Sequence, residues 1–127
     1  MEYPQHFILP SIFVIILNWK GWQDTVECIE SLLRNDYKNF RVVVIDNHSE
    51  DESYDKLLEW CRDRDRFTVL QTMANLGFAG GNNVGIKYAL ENNAEYILLL
   101  NNDTVVTDNF LSSLTKTAPL PAKWRSR

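Results

Sequence analysis

Four short apolar runs, separated by segments of helical period, constrain the fold of this chain more than any other feature. Ser11 to Leu17 (SIFVIIL), Arg41 to Ile45 (RVVVI), Phe67 to Leu70 (FTVL) and Tyr96 to Leu100 (YILLL) are largely continuous in apolar residues, as strands covered on both faces are. Between them the period changes. Asp24-Thr25-Val26-Glu27 has capping-box spacing, and Val26, Ile29 and Leu33 recur at helical intervals as far as Asn35. Tyr54, Leu57, Leu58 and Cys61 form an i, i+3, i+4, i+7 stripe behind the acidic pair Asp51 and Glu52. Asn82 is placed to cap a helix running through Leu90, and Asp108 to cap a last one carrying Phe110, Leu111 and Leu114. Strands alternating with helices require crossover connections, so the fold class is α/β, a three-layer sandwich with a mostly parallel sheet.

The 127 residues suffice for one domain with one core. The alternation is confined to residues 1–117; Ala118 to Arg127 (APLPAKWRSR) breaks it with two prolines and three basic residues, and is expected to be an unstructured or non-native tail. With 45% apolar and 24% charged residues the chain is globular rather than disordered, and its net charge of −4 argues against nucleic acid as a partner. The apolar run from Phe7 to Leu17 is too short to cross a bilayer, contains Pro10 and lacks a basic leader, so it reads as a buried strand and not a signal. Cys28 and Cys61 fall inside helical patterns and not at C-x-x-C spacing. They read as buried thiols suited to a reducing cytosol, and a cytoplasmic location is expected.

In an open parallel sheet, ligands bind beyond the carboxyl ends of the strands. Those positions here are polar: Asn18 after the first strand, Asp46 and Asn47 after the second, Asn75 through Gly81 after the third, and Asn101-Asn102-Asp103 after the fourth. Each alone is ordinary turn chemistry; four on one edge point to a site. Asp46 is suited to accept hydrogen bonds from a base or ribose, and equally to close an Asx-turn with Asn47 and Ser49. The stretch Asn75 to Asn83 places three glycines and several asparagines before a helix, where backbone N–H groups approach an anion, although it is neither G-x-G-x-x-G nor a Walker A loop. Asp103 beside two amides offers hard oxygen ligands for Mg²⁺ or Mn²⁺ held jointly with phosphates. Trp19, Trp22 and Tyr37 read as packing rather than as stacking platforms. His6 and His48 are too far apart to suggest a ligand pair.

Taken together, VIILNWKGWQDTVECIESLL, FRVVVIDNHSEDES, NLGFAGGNNVGIKYAL and YILLLNNDTVV resemble, in order and spacing, the N-terminal half of family 2 glycosyltransferases of the GT-A fold, in particular the rhamnosyltransferase-like subgroup. The resemblance runs from Ile12 to Val106. It implies that Asp46 contacts the nucleotide base or ribose with Asn18 beside it, and that Asn47, Asn75, Gly77, Asn83 and Asn102 line the nucleotide pocket. It makes Asp103 the last residue of a D-x-D element that binds a divalent metal, with Asn101 where the first carboxylate often sits. It further implies a UDP- or dTDP-sugar donor, a glycan or lipid-linked acceptor, and an inverting transfer whose catalytic base lies in a C-terminal half that this chain does not contain.

On that reading the chain binds a sugar nucleotide without turning it over, exposes an uncovered sheet edge that favours self-association, and belongs to an enzyme acting in the cytoplasm or at the cytoplasmic membrane face. A rival is a naturally short, non-catalytic nucleotide-binding or regulatory module. An NAD-binding Rossmann domain fails at Asn18-Trp19-Lys20-Gly21-Trp22, which lacks the glycine fingerprint that a pyrophosphate needs.

Overall fold

The computed structural model describes residues 9–118. Eight elements alternate without exception: β1 (Ile12–Asn18), α1 (Trp22–Leu33), β2 (Phe40–Asp46), α2 (Ser53–Cys61), β3 (Phe67–Gln71), α3 (Gly77–Glu91), β4 (Tyr96–Asn101) and α4 (Phe110–Thr117). The four strands form one sheet in the order β3-β2-β1-β4, and every pairing is parallel. The expected α/β sandwich is therefore present. The proposed tail lies, past Ala118, outside the described residues, as does His6.

Strand alternation sorts the core into two layers. Ile12, Val14, Ile16, Val42 and Val44 face one side, where they pack with Ile29 and Leu32 of α1, Leu57 of α2 and Leu111 of α4. Phe13, Ile15, Val43 and Ile45 face the other, against Ala89 and the half-buried Val84 and Tyr88 of α3. Each of these aliphatic side chains contributes about 1.5–3 kcal/mol on full burial. From β1 the chain steps outward to β2 and β3, then returns across the sheet through α3 to lay β4 on the far side of β1. The strand order thus reverses between β1 and β4, the place where open α/β sheets open a crevice.

Three helix starts differ from expectation. The N-cap of α1 is Gly21 and makes no side-chain cap bond, so Asp24 sits inside the first turn and its capping-box spacing is coincidental. The N-cap of α4 is Asn109, not Asp108. The largest difference is α3, which begins at Gly77 rather than after Asn82, so most of the expected glycine-rich loop is helix. Gly77 has φ 75°, a left-handed conformation that glycine adopts without a steric penalty. Gly81 and Gly85, one turn apart, let α3 lie against β1: a Cβ on Gly81 would sit 2.5 Å from Leu17 Cδ1, and one on Gly85 would run into Ile15. These two glycines serve helix–sheet packing, not an anion.

Candidate functional site

The parallel register aligns Asn18, Asp46 and Gln71 in one row across β1, β2 and β3, with Asn101 of β4 level with Leu17 one residue earlier. Asn18 and Asp46 follow Ile16 and Val44 in the alternation and turn toward α1, and both are fully buried. The Asp46 carboxylate receives four hydrogen bonds. Its Oδ1 accepts from Asn18 Nδ2 at 3.0 Å and Ser49 Oγ at 2.7 Å, and its Oδ2 from the Ser49 N–H at 3.0 Å and Gln71 Nε2 at 3.1 Å. A carboxylate has about four acceptor positions, and all are filled. Ser49 closes the Asx-turn expected at this strand end. Its hydroxyl also accepts from the Lys20 N–H at 2.8 Å and steadies Lys20 at φ 58°.

Asn47 is bonded through both ends of its amide. Its Oδ1 accepts from the Leu76 N–H at 3.0 Å, with Thr72 Oγ1 3.2 Å away and nearer still to Ala74 O at 2.8 Å, while its Nδ2 donates to Asn75 Oδ1 and Gly77 O, each at 3.1 Å. Asn75 Oδ1 in turn accepts from the Gly77 N–H at 2.9 Å. Asn47, Asn75 and Gly77 thus form one structure that fixes the start of α3 to the end of β2. The N–H groups of Leu76 and Gly77 are engaged by these side chains. Asn83 is exposed on the next turn of α3, outside the cleft described below, whereas its buried neighbour Asn82 lines it.

An open cleft of about 280 Å³ lies at the reversal point, lined by Leu17, Phe78, Asn82, Leu99, Leu100, Asn101, Asn102 and Asp103. The expected Asn101-Asn102-Asp103 element lines its β4 side, where Asp103 is the one lining carboxylate. Asn102 donates through Nδ2 to Thr25 Oγ1 at 3.2 Å, which ties the turn to α1. Among the described residues no group of three or more His, Cys, Asp and Glu side chains comes together. The donor set still fits Mg²⁺ or Mn²⁺, because such ions are commonly held by one or two carboxylates with the remaining positions filled by water and substrate phosphate. Asp103 with amide oxygen from Asn101 is such a partial set.

The aromatic residues behave as expected in part. Tyr37 is buried and Trp22 packs against the core, but Trp19 is 50% exposed with Lys20 Nζ 4.5 Å from its ring centroid. His48 is exposed at φ 63°, its Nδ1 3.1 Å from Thr72 O. Both cysteines are free; burial pushes the Cys28 and Cys61 thiols up to about 11. Thr25 and Gln71 were not singled out by the sequence as site residues, and Phe78 and Asn82 were flagged only as part of the Asn75 to Asn83 stretch. Gln71 carried a usable signal too, as the residue that directly follows the third apolar run.

Residues 11–120 match the family model described as Glycosyl transferase family 2. The low-salt glycan biosynthesis hexosyltransferase Agl10 of Haloferax volcanii is 32% identical over 111 residues, 87% of this chain and 33% of that protein. TarS 1–349 of S. aureus, solved in complex with UDP, superposes with a TM-score of 0.71 at 26% identity, over 84% of this chain and 31% of its own; it has also been solved with UDP-GlcNAc. The mannosyltransferase PcManGT of Pyrobaculum calidifontis, solved with GDP-Man and Mn²⁺, shares the GT-A fold at a TM-score of 0.79 and 20% identity, over 88% of this chain and 33% of its own. The chain spans about a third of the length of Agl10. No helix among the described residues is long and apolar enough to cross a membrane. Because the family match takes in every element from β1 to α4, the chain belongs to glycosyl transferase family 2.

Proposed function

We propose that this chain binds the nucleoside-diphosphate half of a sugar donor at the carboxyl edge of its sheet, as the donor-binding portion of an inverting glycosyltransferase. One observation carries the reading: Asn101, Asn102 and Asp103 leave β4 at the reversal point and line a cleft with Asn82 and Phe78 of α3. The TarS complexes with UDP and UDP-GlcNAc support a sugar nucleotide as ligand. UDP- and dTDP-sugars are the donors favoured by the resemblance.

Asp103, with Asn101, would hold Mg²⁺ or Mn²⁺. Such an ion would supply Lewis-acid assistance to the departing nucleoside diphosphate. Asn18 and Asp46 form the base and ribose end. Since every acceptor position of Asp46 is taken, a ligand reaches it by displacing a present donor, and Gln71 is the partner whose side chain is exposed. Asn47, Asn75 and Gly77 shape the wall at the start of α3, with Asn83 on its outer turn. An acceptor hydroxyl, on a glycan or lipid-linked saccharide, attacks the anomeric carbon as it loses its proton to a carboxylate base, and the nucleoside diphosphate leaves. The parent enzyme works in the cytoplasm or at the cytoplasmic membrane face.

Calorimetric titration of UDP, dTDP and GDP, with and without Mn²⁺, tests this. One nucleotide is expected to bind in a metal-dependent way that Asp103→Ala weakens by tenfold or more, in line with loss of a charged ligand. No binding at millimolar nucleotide, or binding indifferent to Asp103→Ala, would refute the assignment.

A further inference from the structure

The hydrogen bonds that cross the carboxyl edge of the sheet form one continuous path, and its middle member is a buried hydroxyl. Asn102 Nδ2 donates to Thr25 Oγ1 at 3.2 Å, Thr25 Oγ1 donates to Asn18 Oδ1 at 2.6 Å, and Asn18 Nδ2 donates to Asp46 Oδ1 at 3.0 Å. Thr25 has no exposure to solvent. A threonine hydroxyl carries one proton, and here it is committed to Asn18, so Asn102 must present its NH₂ and Asn18 its carbonyl oxygen. Donors that all point one way polarise one another, which makes the path sensitive along its whole length.

The rest of α1, with Asn35 just past its end, extends the grip on the same segment. Cys28 Sγ lies 3.8 Å from Asn101 O, Ser31 Oγ accepts from the Val106 N–H at 3.0 Å, and Asn35 donates to Thr107 O at 3.1 Å while accepting from the Leu111 N–H at 2.9 Å. Thr25, Cys28 and Ser31 are spaced by three residues each, which places them on one side of α1; Asn35 follows beyond the Arg34 C-cap, and all four are buried. A helix packed on a sheet needs apolar side chains there. These polar ones are instead bonded mainly to the stretch between Asn101 and Leu111 that contains Asp103.

We propose that α1 sets the Asn101–Asp103 turn and that Thr25 is the positioning residue through which the Asp46 end and the Asp103 end of the site influence each other. The proposal rests on the donor-site reading above, with Asp46 at the base end and Asp103 at the diphosphate. Thr25 contacts neither ligand end itself. A ligand that draws on Asp46 alters the bond from Asn18, hence the one from Thr25, hence the seat of Asn102, whose neighbour is Asp103.

Two substitutions in the full 127-residue chain test it: Thr25→Val, which keeps the shape and removes the hydroxyl, and Thr25→Ser, which keeps the hydroxyl. The first measurement needs no ligand. In ¹H–¹⁵N spectra, Thr25→Val is expected to move the Asn102 and Asp103 amides and to speed hydrogen exchange at Thr104, whose N–H closes the turn onto Asn101 O, about tenfold; Thr25→Ser restores both. Unchanged resonances and exchange at residues 102–104 in a folded Thr25→Val overturn the proposal. If Thr25→Val does not fold, Asn102→Ala breaks the path from its half-exposed end and is expected to shift the Asn18 side-chain and Ser49 backbone signals; no shift there overturns it as well. The second measurement titrates UDP with and without Mn²⁺. The factor by which Mn²⁺ tightens UDP is expected to fall at least threefold in Thr25→Val and to return in Thr25→Ser, and equal factors in all three proteins overturn the coupling. If the unsubstituted chain binds no UDP, the donor-site reading fails, while the ligand-free spectra still decide whether Thr25 sets the turn.

Discussion

Asp46 illustrates how a residue chosen for ligand contact becomes part of the scaffold. Its carboxylate organises Asn18, Ser49 and Gln71 around itself without exposure to solvent. Removing it strands buried donors, so Asp46→Ala is expected to lower unfolding stability by about 3 kcal/mol, read from urea denaturation midpoints, whereas Gln71→Ala costs under about 1 kcal/mol. The cysteines make a second prediction at this scale. Burial holds both thiols protonated to about 11 against an ordinary value of 9.0. The unfolded chain releases these protons first, so the stability they contribute is intact below pH 9 and declines between pH 9 and 11. In the native protein at pH 8 both react with a thiol reagent far more slowly than in urea; equal rates would contradict the burial. The Asx-turn at Asp46 was legible in the sequence because its partner is three residues away. Thr25 was not, because its partners Asn18 and Asn102 come from other elements and the capping-box spacing offered a local role instead.

Among the elements, the strands were legible to within a residue because all four are apolar runs, each paired with a neighbour in the sheet. The first turn of α3 was not, although the helix through Leu90 was expected, since glycine normally breaks a helix and only the tertiary fit of Gly81 and Gly85 against β1 repays its weak propensity. That fit predicts the cost of filling it. Gly85→Ala is expected to destabilise by about 1–3 kcal/mol by pushing α3 off Ile15. Gly77→Ala costs about 1–3 kcal/mol for a different reason, because space is open there but φ is left-handed. Thermal melts separate the two mechanisms: Gly77→Asn should recover most of the loss, as asparagine tolerates that conformation, and Gly85→Asn should be worse than alanine.

For the whole molecule, the decisive feature is that β4 pairs only with β1 among the described residues. Its outer edge runs through Tyr96 to Asn101 without one charged side chain, and Leu99 is 45% exposed. An uncharged open edge templates pairing with another strand. Sedimentation velocity is therefore expected to show concentration-dependent association that Leu99→Lys suppresses; a monomer at every loading concentration would remove this prediction. The sheet class was readable from the alternation of apolar and helical segments, but the placement of β4 beside β1 was not, because nothing local distinguishes a strand that extends the sheet past β3 from one that returns.

That return also dictates an order of events during synthesis. β1, α1, β2, α2 and β3 leave the ribosome before α3 and β4, so the far edge of β1 waits unpaired while everything up to Tyr96 is made. A nascent chain paused in that interval displays the most apolar strand of the protein, Ile12 to Leu17, with one side open and no α3 over Phe13 and Ile15. That species exposes more apolar surface than the finished fold, and synonymous changes that slow translation between Gln71 and Tyr96 are expected to lengthen its exposure and lower the soluble yield.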